Sequence, residues 1–418
     1  MRMDNAELKE IVSLWNLPAQ AKKRIFHILD DSPPLSPPHL FRYYHPTGKG
    51  KVEQLEKEFA KMSGAKHCLA VNSGTSALIA ALAACGIGPG DEVIVPAYTF
   101  FATASAVVVC RAIPVIAEVD ETLTIDPVDL ERKMTKRTKA VIPVHMRGLP
   151  CDMERILALS RKHNIRVIED VAQAGGGSFR GRWLGRFGDA GCFSFDFYKM
   201  ISSGEGGMVV TDDELVYIRA QSWHDTAACW RPNRFARERV PGELFCGENY
   251  RMSEVHGAIA LAQLRKLNRH LSACRRTKKV LLARLSALKV LRPAPVHDPD
   301  GECATNLVLL APDAATAKKA FGIAKEMRLP VGGVYDQTVR DWHIYRYWEH
   351  ILERKTVTDE GCPYSCPFYT GKLPAYSQDM CPNTLDILSR CLIVSTEYRS
   401  VREAGEIARG LVSLDTRL

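Results

Sequence analysis

Lys199 ends the run Phe193-Ser194-Phe195-Asp196-Phe197-Tyr198-Lys199, and Gly204-Glu205-Gly206-Gly207 follows it. A hydroxyl stands five positions before an amine, with a glycine-rich turn beyond. An amine can form a Schiff base with an aldehyde, while hydroxyls and free amides hold a phosphate. Pyridoxal 5'-phosphate (PLP) requires both functions side by side. A surface lysine next to a glycine-rich hairpin gives the same string, so the string alone leaves both readings open.

The segment Arg166-Val167-Ile168-Glu169-Asp170-Val171-Ala172-Gln173-Ala174 reads as a short apolar strand ending in Asp170. A carboxylate at the C-terminal end of such a strand points into the ligand crevice of an open α/β sheet. There it can pair with the pyridine nitrogen of PLP and keep the ring an electron sink, with Gln173 in reach of the ring O3'. The alternative is that Asp170 caps the segment after it; the presence of Lys199 favours the ligand reading.

Upstream, Ala70-Val71-Asn72-Ser73-Gly74-Thr75-Ser76-Ala77-Leu78 runs from a strand through a turn of small residues into a helix expected over Ala77 to Ala84. Free amides at a helix N-terminus attract anions, which makes Gly74, Thr75 and Ser76 candidates for a phosphate cradle; an ordinary Ser/Thr cap is the alternative. After the strand Glu92 to Val95, Phe100 offers a ring to stack on the pyridine, unless it is a core aromatic.

In this order the blocks resemble the DegT-type sugar and cyclitol aminotransferases, a branch of the fold-type I PLP enzymes. The resemblance runs from about Tyr43 to Gln263 and includes Val52 to Phe59, the Asn72-Ser73-Gly74-Thr75 turn, Pro96 to Phe100, Glu169 to Gln173, Ser194 to Gly207, and Gly247-Glu248-Asn249-Tyr250-Arg251-Met252. It implies that Lys199 carries PLP as a Schiff base, Asp170 pairs with the ring nitrogen, Gln173 contacts O3' and Phe100 stacks on the ring. Thr75, Ser76 and Ser194 would bind the phosphate, and Asn249 would reach the phosphate of a neighbouring subunit in a homodimer with composite active sites. Relatives with histidine at the lysine position act as PLP-dependent sugar dehydratases; this chain keeps Lys199.

The whole chain fits that expectation. Its 418 residues are 46% hydrophobic and 25% charged, an ordinary globular composition with material for a core. The expected fold is α/β, with a large domain around a mostly parallel sheet and a smaller C-terminal α+β domain. Residues 1–40 read as a helical arm with the proline-rich linker Asp31 to Pro38, 41–292 as the PLP-binding domain ending in a long polar helix from Met252 to Leu291, and 293–418 as the small domain, with its first strand at Thr305 to Leu310. The formal charge of +8 comes from scattered basic residues without RNA-binding aromatic strings, so no nucleic-acid partner is expected. No apolar run reaches membrane-spanning length and no signal-peptide pattern opens the chain, which points to the cytoplasm.

Thirteen cysteines lack the spacing of a secreted disulfide framework. Four of them, Cys362, Cys366, Cys381 and Cys391, fall in the C-terminal part, where a metal site and buried packing thiols compete; the spacing favours packing, and no metal is expected. His224 and His343 are candidate substrate contacts, the latter within the aromatic stretch Trp342 to Trp348; a structural role is the alternative for each. The loop Ala227 to Cys246 is long enough to cover the pocket or extend a subunit interface. The resulting expectation is amino transfer from glutamate or glutamine to a keto-sugar, often nucleotide-linked, or a keto-cyclitol. A PLP enzyme of another reaction type, such as a dehydratase or decarboxylase, and a non-catalytic regulatory protein on the same fold are the alternatives.

Overall fold

The computed structural model describes residues 3–418 except 33, 35, 37, 46, 232, 234, 336, 337 and 398. Short, apolar, β-branched runs alternate with Ala/Leu-rich or amphipathic helices, and each such run becomes a strand. They are β1 (His67–Val71), β2 (Glu92–Pro96), β3 (Ile113–Ala117), β4 (Thr138–Val141), β5 (Arg166–Asp170), a small hairpin of β6 (Ser178–Phe179) and β7 (Arg182–Trp183), then β8 (Ala190–Ser194) and β9 (Gly207–Thr211). The main sheet has seven strands in the order β1-β9-β8-β5-β4-β2-β3. β2, β3, β4, β5 and β8 pair in parallel, and β9 runs antiparallel to both β8 and β1. The strands are buried almost throughout, as a sheet covered on both faces requires.

The helix that follows β1 spans Gly74–Ala84, starting one turn before the expected Ala77. Ser73 explains the earlier start: its backbone is extended, and its side-chain oxygen accepts the Ser76 N–H at 3.0 Å and caps the helix. This helix is buried nearly all round, consistent with its uniformly apolar sequence.

The expected long helix from Met252 to Leu291 is instead two helices, Glu254–Leu264 and Leu267–Leu282. The chain turns between them at Arg265 and Lys266, where Lys266 N–H bonds back three residues to the Gln263 carbonyl. The second helix ends in the core of a smaller sheet made of β10 (Arg292–Pro293), β11 (Asn306–Leu310), β12 (Val331–Gly333) and β13 (Cys391–Ser395), in the order β10-β11-β13-β12. β11 is therefore the second strand of that sheet rather than the first.

Between β12 and β13 the chain leaves the small sheet and returns to the large one. Tyr345, Trp348 and Ile351 enter the same core as β2 and the helix Ala102–Val109. Two of the Trp342 to Trp348 aromatics are thus core residues, Tyr345 and Trp348, both fully buried, while His343 lines the cavity described below. At the other end, helices Asn5–Ser13 and Ala19–Asp31 form the N-terminal arm, while residues 33, 35 and 37 of the expected linker lie outside the described residues. Arg42 then anchors the chain to β1 through a buried ion pair with Glu56, whose carboxylate also accepts the Ala70 N–H at 2.8 Å.

Among the described residues, no helix is long and apolar enough to cross a membrane. None of the thirteen cysteines is in a disulfide. Cys366 packs with Ile113, Tyr364 and Tyr369, Cys381 and Cys391 are buried, and Cys362 is exposed. No group of three His, Cys, Asp or Glu side chains among the described residues is arranged to hold a metal.

Candidate active site

The parallel strands end on one edge of the main sheet, and a cavity of about 620 Å³ lies there. Ligands of open α/β sheets bind at this edge. Gly74, Thr75, Phe100, Asp170, Gln173, Ser194, Lys199 and His343 all line the cavity. A groove of about 650 Å³ at the opposite ends of the strands, between Cys85, Lys139, Arg166 and Asp189, contains none of the expected site residues.

Asp170 is the most constrained of these groups. It ends β5 with its side chain almost wholly buried. Oδ1 accepts the Ala172 N–H at 3.0 Å and Oδ2 accepts the Thr103 hydroxyl at 2.8 Å, which is in turn bonded to Thr99. Burial pushes the carboxyl up from its ordinary value; those two donors and the charge of Lys199 work against that shift. Strand alternation sends its neighbour Glu169 to the opposite side of the sheet. There Glu169 accepts N–H groups from Gly185 (2.8 Å), Phe187 (2.6 Å) and Gly188 (2.9 Å). His145 Nδ1 accepts the Cys151 N–H at 3.1 Å, which leaves Nε2 to donate to Glu169 at 3.1 Å. The His145 N–H bonds the Asp170 carbonyl at 3.0 Å, so the network behind the sheet fixes the strand end in front of it.

The helix N-terminus meets the end of β8 closely. A Cβ on Gly74 would lie 2.6 Å from Ser194 Cβ and 3.2 Å from its Cα, so only glycine allows this approach. The contact puts Thr75 and the free amides of the first turn beside the Ser194 hydroxyl, a cradle for a dianion. Lys199 sits in the hairpin between β8 and β9, held by its own N–H to the Asp196 carbonyl at 3.0 Å, while the Phe195 N–H bonds the Gly206 carbonyl at 2.8 Å. Gly204 and Gly206 adopt φ of 83° and 149°, which accounts for the glycine-rich turn.

Three expected site residues lie elsewhere. Ser76 faces inward and donates to Asn72 Oδ1 at 2.6 Å, so it supports the cap instead of lining the cavity. His224 is fully buried at the end of helix Glu214–His224 and does not line the cavity. Burial, with the nearby Arg42, pushes its imidazole down to about 3, and its ring nitrogens find no hydrogen-bond partner among the described residues. His224 therefore lies apart from the cavity, unlike His343, which lines it. Asn249 is exposed and outside the cavity, paired through its backbone with Asp225. None of the described residues of the loop Ala227 to Cys246 lines the cavity either. Its ends are stapled by Thr226 N–H to Glu248 O at 2.9 Å and Gly247 N–H to Thr226 O at 3.1 Å, and the Trp230 ring stacks on Tyr43 at 5.6 Å.

Sequence reasoning missed Thr103, His145 and Arg147. Thr103 and His145 serve Asp170 through long-range contacts that no local string signals. Arg147 lines the cavity beside Gln173, whose Oε1 accepts the Arg147 N–H at 3.0 Å.

A buried carboxylate with no cation bonded to it among the described residues, a dianion cradle and an amine around one cavity fit PLP: Asp170 would face the ring nitrogen, Thr75 and Ser194 the phosphate, and Lys199 the aldehyde carbon. Fold and site together define a PLP-dependent transferase of fold type I. Residues 45–360 match the profile of the DegT/DnrJ/EryC1/StrS aminotransferase family, and the chain belongs to that family. It is similar to the GDP-perosamine synthase of Caulobacter vibrioides, with 43% identity over 53% of this chain and 58% of that protein. It is also similar to the UDP-N-acetyl-3-dehydro-alpha-D-glucosamine 3-aminotransferase of Acidithiobacillus ferrooxidans, with 40% identity over 67% of this chain and 74% of that protein. Among solved structures it resembles S. venezuelae DesV, at 26% identity and a TM-score of 0.72 over 96% of this chain and 95% of DesV. The chain spans less than two thirds of the length of these perosamine synthases, 58% for that of Caulobacter vibrioides and 64% for that of Escherichia coli O157:H7.

The raised carboxyl at Asp170 has a testable sign. An acid whose folded pKa lies above its unfolded value loses stability as pH rises from the unfolded value through the folded one. Cofactor-free Asp170→Asn should therefore be at least as stable as the cofactor-free parent at pH 8, and its advantage should vanish near pH 3. Saturating PLP should raise the melting temperature of the parent more than that of the variant. Thermal denaturation across pH, with and without PLP, checks this; a variant clearly less stable than the parent at pH 8 would mean that Asp170 holds the strand end together and is not a poised charge.

Proposed function

We propose that this protein is a PLP-dependent aminotransferase that moves an amino group from glutamate or glutamine to a keto-sugar or keto-cyclitol. The observation that carries the reading is the convergence of Lys199 and Asp170 on one cavity under the Ser73-capped helix. When bound, PLP supplies the electron sink that makes the carbon next to nitrogen acidic.

The chain's own residues do the rest. Asp170, desolvated and fixed by Thr103 and the Ala172 N–H, favours a proton on the group opposite it. Thr75, Ser194 and the first-turn amides hold the phosphate and so fix the ring's orientation. Phe100, 48% exposed in this chain and lining the cavity, presents its ring as a stacking face. Lys199 Nζ anchors the cofactor at rest. As a free amine it would take the proton from the carbon bearing the donor nitrogen and deliver it to the former aldehyde carbon of the cofactor within the same half-reaction, and it would run that 1,3-shift in reverse when the acceptor is aminated in the second half of a ping-pong cycle. Retention of lysine at 199 supports transfer over the histidine-type dehydration.

Borohydride reduction of the holoenzyme followed by peptide mapping should label Lys199, and Lys199→Ala should bind PLP without covalent linkage and lose turnover by several orders of magnitude. Label on another lysine would refute the assignment.

The reading extends to a homodimer in which Asn249 serves the partner's site, supported by its exposed position outside the cavity of its own chain. Mixing Lys199→Ala chains with Asn249→Asp chains distinguishes the cases. In trans, a mixed dimer collects both lesions in one site and leaves the other intact, so activity returns. In cis, every site keeps a lesion and mixing restores nothing.

A further inference from the structure

Arg147 is the cavity-lining guanidinium whose role neither the cofactor nor the lysine chemistry accounts for. Its backbone lies in the left-handed region, φ 55° and ψ 25°, an uncommon place for an arginine. Two bonds hold it there: its N–H to Gln173 Oε1 at 3.0 Å, and the Thr305 hydroxyl to its carbonyl at 3.2 Å. The side chain is braced as well. Nε donates to the hydroxyl of Tyr98, a fully buried tyrosine, at 2.6 Å. That leaves the two terminal nitrogens. Among the described residues they make no hydrogen bond, and Arg147 forms no ion pair. The nearby Asp341 senses its charge but is occupied by His343, through the backbone N–H at 2.9 Å and Nδ1 at 2.7 Å.

A guanidinium with its inner edge tied down and its outer edge free is a fork for a planar anion with two oxygens. We infer that Arg147 reads a carboxylate on the ligand that enters this cavity. The inference rests on the aminotransferase reading and narrows its substrate class. A phosphate would also match the fork, but the cofactor phosphate has its own proposed cradle at Thr75, Ser194 and the helix N-terminus. Arg147 is bonded to Gln173 itself, so it serves the reacting end, where the carbon that carries nitrogen must sit. Two sources supply the same chemistry there: the α-carboxylate of an amino-acid donor and the carboxylate of a keto-sugar acid.

The probes are maleate, its neutral diamide and inorganic phosphate, titrated into PLP-loaded enzyme while the cofactor absorption band is followed. The parent should bind maleate at least tenfold more tightly than the diamide. Arg147→Gln should weaken maleate at least tenfold with PLP loading unchanged, and Arg147→Lys should recover part of the loss because it restores the charge without the fork. Single-turnover half-reactions then locate the source. Loss confined to the step with L-glutamate assigns the donor carboxylate, and loss confined to the step with a keto-sugar acid, with a neutral keto-sugar unaffected, assigns the acceptor. Equal binding of maleate and diamide by the parent, an unchanged maleate affinity in Arg147→Gln, or a loss seen for phosphate alone would overturn the inference. Borohydride labelling of Lys199 separates the two levels: label with a silent Arg147→Gln defeats only this inference, whereas no label defeats the aminotransferase reading on which it rests.

Discussion

Two adjacent carboxylates at the end of one buried strand set the terms for the rest of the large domain. Burying a charge is costly unless it is paired or well hydrogen-bonded. Glu169 meets that demand internally, with three backbone N–H donors and His145. Among the described residues, Asp170 meets it only in part, with one backbone and one hydroxyl donor and no cation bonded to it. The turn at residues 185–188 and the segment 143–151 are placed by what Glu169 needs. The cavity lies where Asp170's need is unmet, and the partner we propose for it is a protonated ring nitrogen.

The opposite end of the cavity obeys a steric constraint instead. Gly74 allows the helix Gly74–Ala84 to rest on the end of β8, and Gly207 allows β9 to pass the Ser73 carbonyl, which a Cβ would approach to 2.5 Å. Both contacts bring backbone against backbone, so the dianion cradle and the lysine hairpin are fixed relative to each other by packing and not by flexible side chains. The small domain and the returning segment add Thr305, Asn306 and His343 to the wall, which joins three parts of the chain at one site.

Much of this was legible in the sequence because its signals are local. Asp170 at a strand end, Ser194 five residues before Lys199, and small residues opening a helix all encode their geometry within a few positions. What the sequence hid depends on distant packing. Which of Ser73 and Ser76 caps the helix follows from Ser73's extended backbone, with φ −163°. His224 looked available, but the fold buries it at the end of its helix, near Arg42. The polar stretch Met252 to Leu291 has no proline or glycine at Arg265 and Lys266 to announce the break between its helices. Arg147 carries no periodic or motif signal; only its meeting with Tyr98, Gln173 and Thr305 marks it.

The central claim is that Asp170 is a buried charge waiting for a protonated ring nitrogen. It is tested most directly by the ¹⁵N resonance of PLP labelled at that nitrogen and bound to the protein. The account predicts a protonated nitrogen in the parent throughout neutral pH and an unprotonated one in Asp170→Asn at the same pH. An unprotonated nitrogen in the parent, or the same resonance in both proteins, would contradict it.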